Sequence, residues 1–206
     1  MKHHEPIDPT PIKLPEPKYE GSTSVEKAIY RRRSIRDYKH EPFSIADVSQ
    51  LLWAAQGTTA LGGYRTAPSA GALYPLELYL VAGNVEGLLA GVYHYDSHHH
   101  AMVMVDAHDR RAELSTASLD QTWMQAAAVT LVLTAMSKKT STKYGHKSIG
   151  YVYMEVGAAA ENVCLQGVSM NMASVMVGSF DEARVKKILP LKDGEEPLCL
   201  IPVGRK

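Results

Sequence analysis

Four short stretches carry residue types and spacings that could do chemistry. The run Arg31-Arg32-Arg33-Ser34-Ile35-Arg36 puts four arginines within six residues. Guanidinium groups present planar donors that pair with phosphate oxygens in a bidentate way, and a serine hydroxyl adds a further bond. The same cations at a helix end would also complement its dipole while staying in solvent, and the run alone fits both readings. The stretch Arg65-Thr66-Ala67-Pro68-Ser69-Ala70-Gly71-Ala72-Leu73-Tyr74-Pro75 is built largely of small residues. Its backbone could approach a flat ligand and offer amide and hydroxyl groups to a polar edge, or it could be an ordinary loop. In Val177-Gly178-Ser179-Phe180 the glycine permits close approach, so that an N–H could face a ring nitrogen. The closing Pro202-Val203-Gly204-Arg205 adds one more cation.

These stretches need elements to hold them. Thr23-Ser24-Val25-Glu26 reads as a capping box opening a helix through Tyr30, which runs into the arginines. A second helix starts near Ser44, aligns Ile45, Val48, Leu51, Leu52 and Ala55 on one face, and stops at Gly57. Residues 76–82 alternate as a strand, residues 91–95 and 102–105 form a hairpin, and the apolar run 129–135 is a central strand buried on both faces. A long helix over residues 151–170 carries small residues that let a neighbour approach closely. Strands at 173–177 and 198–203, with a helix over 181–189 between them, complete the set. Helices and strands mix without β-α-β alternation, which predicts an α+β fold. Residues 1–21, with five prolines, form an extended arm, either disordered or laid across a partner subunit. Residues 22–206 then form a single domain.

Composition excludes several classes. With 22 basic and 22 acidic residues there is no overall field to draw the protein to nucleic acid or an anionic membrane. Neither a signal peptide nor a bilayer-length apolar run is evident, which predicts a cytoplasmic protein. Cys164 and Cys199 form no zinc pattern and read as reduced core residues. His98-His99-His100 lacks carboxylate or cysteine company, so no metal site is assigned. Gly62-Gly63 lacks the spacing of a dinucleotide fingerprint, and any NAD(P)H would dock over another cofactor. Glu155 and Asn162 fall on the long helix and receive no role.

In order, RRRSIR, PSAGALYP, VGSFD and the closing PVGR resemble the flavin-dependent nitroreductase superfamily, specifically its SagB-type or McbC-like dehydrogenase branch, over residues 24–205. The resemblance implies an α/β sandwich with a central, mainly antiparallel sheet flanked by helices. It also implies an intertwined homodimer with two flavin mononucleotide (FMN) sites at the subunit interface. By position, it implies that Arg32, Arg33, Ser34, Arg36 and Arg205 hold the phosphate. Pro68, Ser69, Ala70, Ala72 and Leu73 match the segment that the other subunit lays against the flavin. Val177, Gly178 and Ser179 match the stretch whose amide sits near flavin N5, which takes the hydride, and Gln121 is placed near the ring or ribityl chain. Lys143-Tyr144-Gly145 resembles the pair that peptide azoline dehydrogenases use to assist proton removal, although the polar run 138–143 also reads as a surface loop. Where simple nitro- or quinone reductases of the superfamily carry asparagine, glutamine and tryptophan, this chain has Ala72, Tyr74 and Leu76. The readings that follow are an FMN-dependent azoline dehydrogenase acting on a small-molecule or peptide substrate, an NAD(P)H-dependent nitro or quinone reductase, and a non-catalytic flavin-binding or partner module.

Overall fold

The computed structural model describes residues 10–206. Seven strands form one sheet in the order β1-β6-β5-β4-β7-β9-β8, every neighbouring pair antiparallel. They are β1 (Ile12–Lys13), β4 (Leu76–Ala82), β5 (Gly91–Asp96), β6 (Ala101–Asp106), β7 (Val129–Ala135), β8 (Met172–Ser174) and β9 (Glu196–Arg205). The short pair β2 (Thr58–Ala60) and β3 (Tyr64–Arg65) stands apart as a hairpin. This is the expected α+β architecture.

Side-chain alternation along the central strands divides the core in two. Leu78 and Leu80 of β4 and Leu131 and Leu133 of β7 face helices α2 (Ile45–Gln56) and α5 (Ser148–Ser169), meeting Leu51, Leu52, Val152 and Ala159. Tyr79, Val81 and Val132 point the other way, toward α3 (Arg111–Ala117) and α6 (Glu182–Ile188), meeting Leu114 and Val185. With helices covering both faces, all seven β7 residues are buried, Thr130 and Thr134 among them, as the strand's mostly apolar run predicts. Two further helices, α1 (Val25–Arg31) and α4 (Lys138–Tyr144), both precede α5 in sequence and pack against it.

Helix starts follow local chemistry. Ser44 caps α2 in a reciprocal box with Asp47, and Gly57 ends it. For α1 the cap is Ser24, one residue later than the box expected at Thr23: its hydroxyl accepts the Lys27 N–H. The strand expected over residues 173–177 is shorter, Met172–Ser174, because the chain leaves β8 and rejoins β9 only through a bridge between Val177 and Leu200. The polar run 138–143, which also read as a surface loop, falls in helix α4.

Part of the described arm packs against its own chain. Ile12 and Lys13 pair with Met102 and Ala101, and Leu14 is buried in the core. His100 fastens the next turn, its ring bonding Ser49 Oγ at 2.7 Å, the Pro15 carbonyl at 3.0 Å and the Tyr95 hydroxyl at 2.8 Å. Among the described residues no helix is long and apolar enough to cross a membrane.

Candidate functional site

The arginine run leaves the end of α1 and passes along the β8 edge of the sheet. Ser34 bridges Ser174, the Ile35 N–H donates to the Ser174 carbonyl, and Lys39 bridges Arg205. That path brings Arg32, Arg33, Ser34, Arg36 and Arg205 to one end of the sheet. Tyr38 anchors it: its ring lies so close to Gly204 that a β-carbon there would stand 2.8 Å away, and its hydroxyl donates to the Pro202 carbonyl. Burial drives that phenol's pKa up.

The arginines differ in how free they are. Arg32 pairs with Glu161 at 3.4 Å, and Arg205 is held by Asp47 at 2.6 Å with its guanidinium over the Phe43 ring. Arg33 bonds only to backbone carbonyls of Tyr30 and Arg32, and Arg36 lies over the Trp123 ring. Neither Arg33 nor Arg36 has an ion pair among the described residues. Gln121, two residues before Trp123, is near this end too, but its amide is turned back to the Ser118 carbonyl.

At Val177 to Ser179 the geometry discriminates among the three residues. The Val177 N–H is spent on the Leu200 carbonyl at 2.8 Å, whereas Gly178 and Ser179 are exposed, donate no backbone hydrogen bond, and have open space in front of Gly178. An amide aimed at a ligand would come from Gly178 or Ser179.

At the opposite end of the sheet, the turn of residues 68–75 leads into β4. Gly71, Ala72 and Tyr74 take left-handed backbones, and Ser69 closes the turn by accepting the Tyr74 N–H at 2.9 Å. A β-carbon on Gly71 would stand 2.6 Å from the Tyr144 hydroxyl and 2.8 Å from Lys143 Nζ. Lys143 and Tyr144 therefore lie directly against this turn. Tyr144 packs edge-on to Tyr151 at 5.0 Å.

Sheet register separates the two groups. Leu76, Ala135 and Glu196 align across β4, β7 and β9 at the turn's end, while Ala82, Val129 and Val203 align at the arginine end. From Glu196 to Arg205 the strand covers roughly 30 Å, more than one flavin nucleotide spans. A single chain does not unite all the residues expected to share a site.

Sequence reasoning gave no role to two buried contacts beneath the turn. Glu155 of α5 is 2% exposed and faces Ser69, Arg65 and Lys139; burial pushes its carboxyl up to about 7 against the pull of those groups. Two turns further along α5, Asn162 donates to the Thr66 carbonyl at 3.2 Å. The available signal was Glu155 set among small and apolar residues of α5, a polar side chain where the helix otherwise offers Val152, Val156 and Ala159 to the core. Nearby, burial raises the Glu77 carboxyl, but His94, Lys139 and Lys192 outweigh it and hold it down at about 2. In the histidine tract, His99 bonds Asp96 while His100 faces the arm, so the rings serve different partners.

Comparison with known proteins gives concordant matches. The family model described as the nitroreductase family matches residues 29–205. Over 182 residues the chain is 39% identical to a protein of Methanocaldococcus jannaschii provisionally named nitroreductase MJ1384, covering 88% of this chain and 91% of that one. A crystal structure from Ralstonia eutropha JMP134, provisionally described as a nitroreductase, superposes with TM-score 0.82 at 27% identity, covering 95% of this chain and 89% of the other. A chain of the Escherichia coli microcin synthetase McbBCD complex, solved with truncated pro-MccB17 bound, superposes at 0.74 and 24% identity, covering 86% and 71%. The NADPH:FMN oxidoreductase of Vibrio harveyi, solved with NAD+, superposes at 0.63 and 20%, covering 88% and 68%. These last two likenesses are of fold.

Proposed function

Because the chain belongs to the nitroreductase family, we propose that it is an FMN-dependent oxidoreductase that works as a homodimer and dehydrogenates an azoline ring, in a small molecule or a peptide, to the azole. The observation that carries the reading is the seating of Lys143 and Tyr144 against the turn at Gly71. The arginine end of the sheet fits the phosphate, since among the described residues Arg33 and Arg36 have no carboxylate partner, and Gly178 and Ser179, following the Val177 bridge to Leu200 midway along β9, offer amides into open space. Bound there, FMN would supply a two-electron carrier that accepts a hydride at a ring nitrogen.

Arg33 and Arg36 would grip the phosphate, with Ser34 adding a hydroxyl; Arg32 and Arg205 would have to exchange Glu161 and Asp47 for it. Gly178 or Ser179 would donate to the polar edge of the ring. The partner subunit would supply the turn, whose small residues exclude water from the other face, together with Lys143 and Tyr144. Dehydrogenation removes a hydride from one ring carbon and a proton from its neighbour; Lys143 and Tyr144 would assist the departure of that proton toward solvent by hydrogen bonding beside the ring. A second copy is also suggested by the apolar residues Val25, Ile29 and Tyr30 on α1 and Tyr153 and Met154 on α5, all more than half exposed.

The test is anaerobic. Purified protein should be yellow, and an azoline-containing peptide should bleach it while losing two hydrogens per ring. Bleaching by NADH or NADPH, with azoline left unchanged, favours a nitro or quinone reductase instead. Protein that stays colourless after incubation with FMN removes the cofactor and leaves a binding module.

A further inference from the structure

Glu155 is buried beneath a turn that must hold an unusual backbone, and the groups around it are committed elsewhere. Its Oε1 has no hydrogen-bond partner. From β3, Arg65 donates to Gln56 Oε1 at 2.8 Å and to the Leu76 carbonyl at 3.4 Å, with its guanidinium over the Tyr74 ring. From α4, Lys139 gives its ammonium to Glu77 of β4 at 3.0 Å. Lys143 and Tyr144 approach the turn at Gly71, two residues beyond Ser69. The group left to serve Glu155 is the Ser69 hydroxyl, whose oxygen also accepts the Tyr74 N–H that closes the turn. A hydroxyl has one proton and two lone pairs, so Ser69 can donate to a carboxylate or accept from a carboxylic acid while keeping Tyr74.

We propose that Glu155 is a positioning residue for the 69–74 turn: through Ser69 it holds the turn in the shape that receives Lys143 and Tyr144, and ionising Glu155 loosens that turn. The role of the turn beside a flavin rests on the function proposed above; the link between Glu155 and the turn does not.

The direction follows from burial. The folded carboxyl is pushed up to about 7, above the value it has when water reaches it, so the closed turn favours the neutral acid. Below that range the acid and Ser69 share a neutral hydrogen bond. As pH rises from the solvated value of 4.5 toward about 7, opening the turn lets water take up a carboxylate that the closed site, with one carboxyl oxygen unpartnered, resists, so opening becomes steadily easier. Asn162, holding Thr66 from the same helix, keeps the start of the segment in place.

Hydrogen–deuterium exchange of the peptide spanning residues 66–76, corrected for intrinsic rates, reads this without cofactor or substrate. In the wild-type protein, protection should fall with rising pH by up to roughly tenfold per unit between pH 5 and 7 and level off above that. Glu155→Gln, a neutral isostere, should hold protection constant over the same range while keeping the circular dichroism and melting temperature of a folded protein. A pH-independent wild type, or a Glu155→Gln variant with an unchanged pH profile, overturns the proposal. FMN titration of the same samples keeps the two readings apart. If FMN does not bind but protection depends on Glu155, the positioning role stands and the cofactor reading fails; if FMN binds and protection ignores Glu155, the reverse holds.

Discussion

Lys143 extends its ammonium group to within 2.8 Å of where a β-carbon on Gly71 would stand, and the Tyr144 hydroxyl comes closer still, at 2.6 Å. Glycine is needed at this position twice over: its φ of 62° is left-handed, and any side chain would displace both neighbours. Gly71→Ala should cost about 1–2 kcal/mol of stability from the backbone alone. By moving Lys143 and Tyr144, it should lower azoline turnover by roughly 10–100-fold, with a smaller effect on flavin affinity. Steady-state turnover beside a flavin titration checks this. A folded Gly71→Ala protein with full turnover would show that the pair does not depend on the turn.

Among the described residues Arg33 and Arg36 of the arginine run have no ion pair, whereas Arg32 and Arg205 are held by carboxylates. Substitution of Arg33 or Arg36 by Gln should weaken FMN binding by about 10–100-fold each, the range of a charge-assisted hydrogen bond. Arg31→Gln should change it little. Quenching of flavin fluorescence on binding gives the constants, and added salt should narrow the differences.

Much of this was legible before the structure. Mostly apolar β7, alternating β4 and the Ser44 to Gly57 helix all follow from local pattern, and each is present. The two-residue strand at Ile12 was not, because proline density hides a segment whose one core residue is Leu14, and its pairing with β6 is settled only by tertiary contact. Helix α4 was obscured by a run of lysine, serine and threonine with a single buried residue, Thr140. The site was readable as motifs but not as an arrangement. Nothing local distinguishes the Val177 amide, consumed by Leu200, from those of Gly178 and Ser179. Glu155 could be placed on the long helix but not given a role for a similar reason: its environment is assembled from β3, α4 and the turn.

Glu77 should show as a loss of acid stability. With His94 at 2.9 Å and Lys139 at 3.0 Å outweighing burial, its folded carboxyl sits at about 2, below its unfolded value of 4.5. A depressed carboxylate contributes stability that is present above the unfolded pKa and lost as pH falls toward the folded one. The advantage of wild type over Glu77→Gln should therefore be full near pH 6 and shrink by at most about 3 kcal/mol as pH falls toward 2. Denaturant unfolding of both proteins across that window measures it; a constant difference would mean the ion pairs contribute nothing through ionisation.

The separation of Arg33 from Lys143 along the sheet makes a prediction about mixed dimers. If each site takes its phosphate grip from one subunit and its Lys143 and Tyr144 from the other, two inactive proteins should restore one another. Take one protein with Arg33→Gln and Arg36→Gln, and another with Lys143→Ala and Tyr144→Phe. In a mixed dimer one site receives both defects and the other receives none. Random re-association of equal amounts yields half mixed dimers, each with one intact site of two, so activity should recover to about a quarter of wild type. Neither parent should exceed background alone. If the site were completed within one chain, every site in the mixture would keep a defect, and mixing would restore nothing. Turnover measured before and after subunit exchange, with differently tagged subunits to confirm mixed dimers, separates the two outcomes.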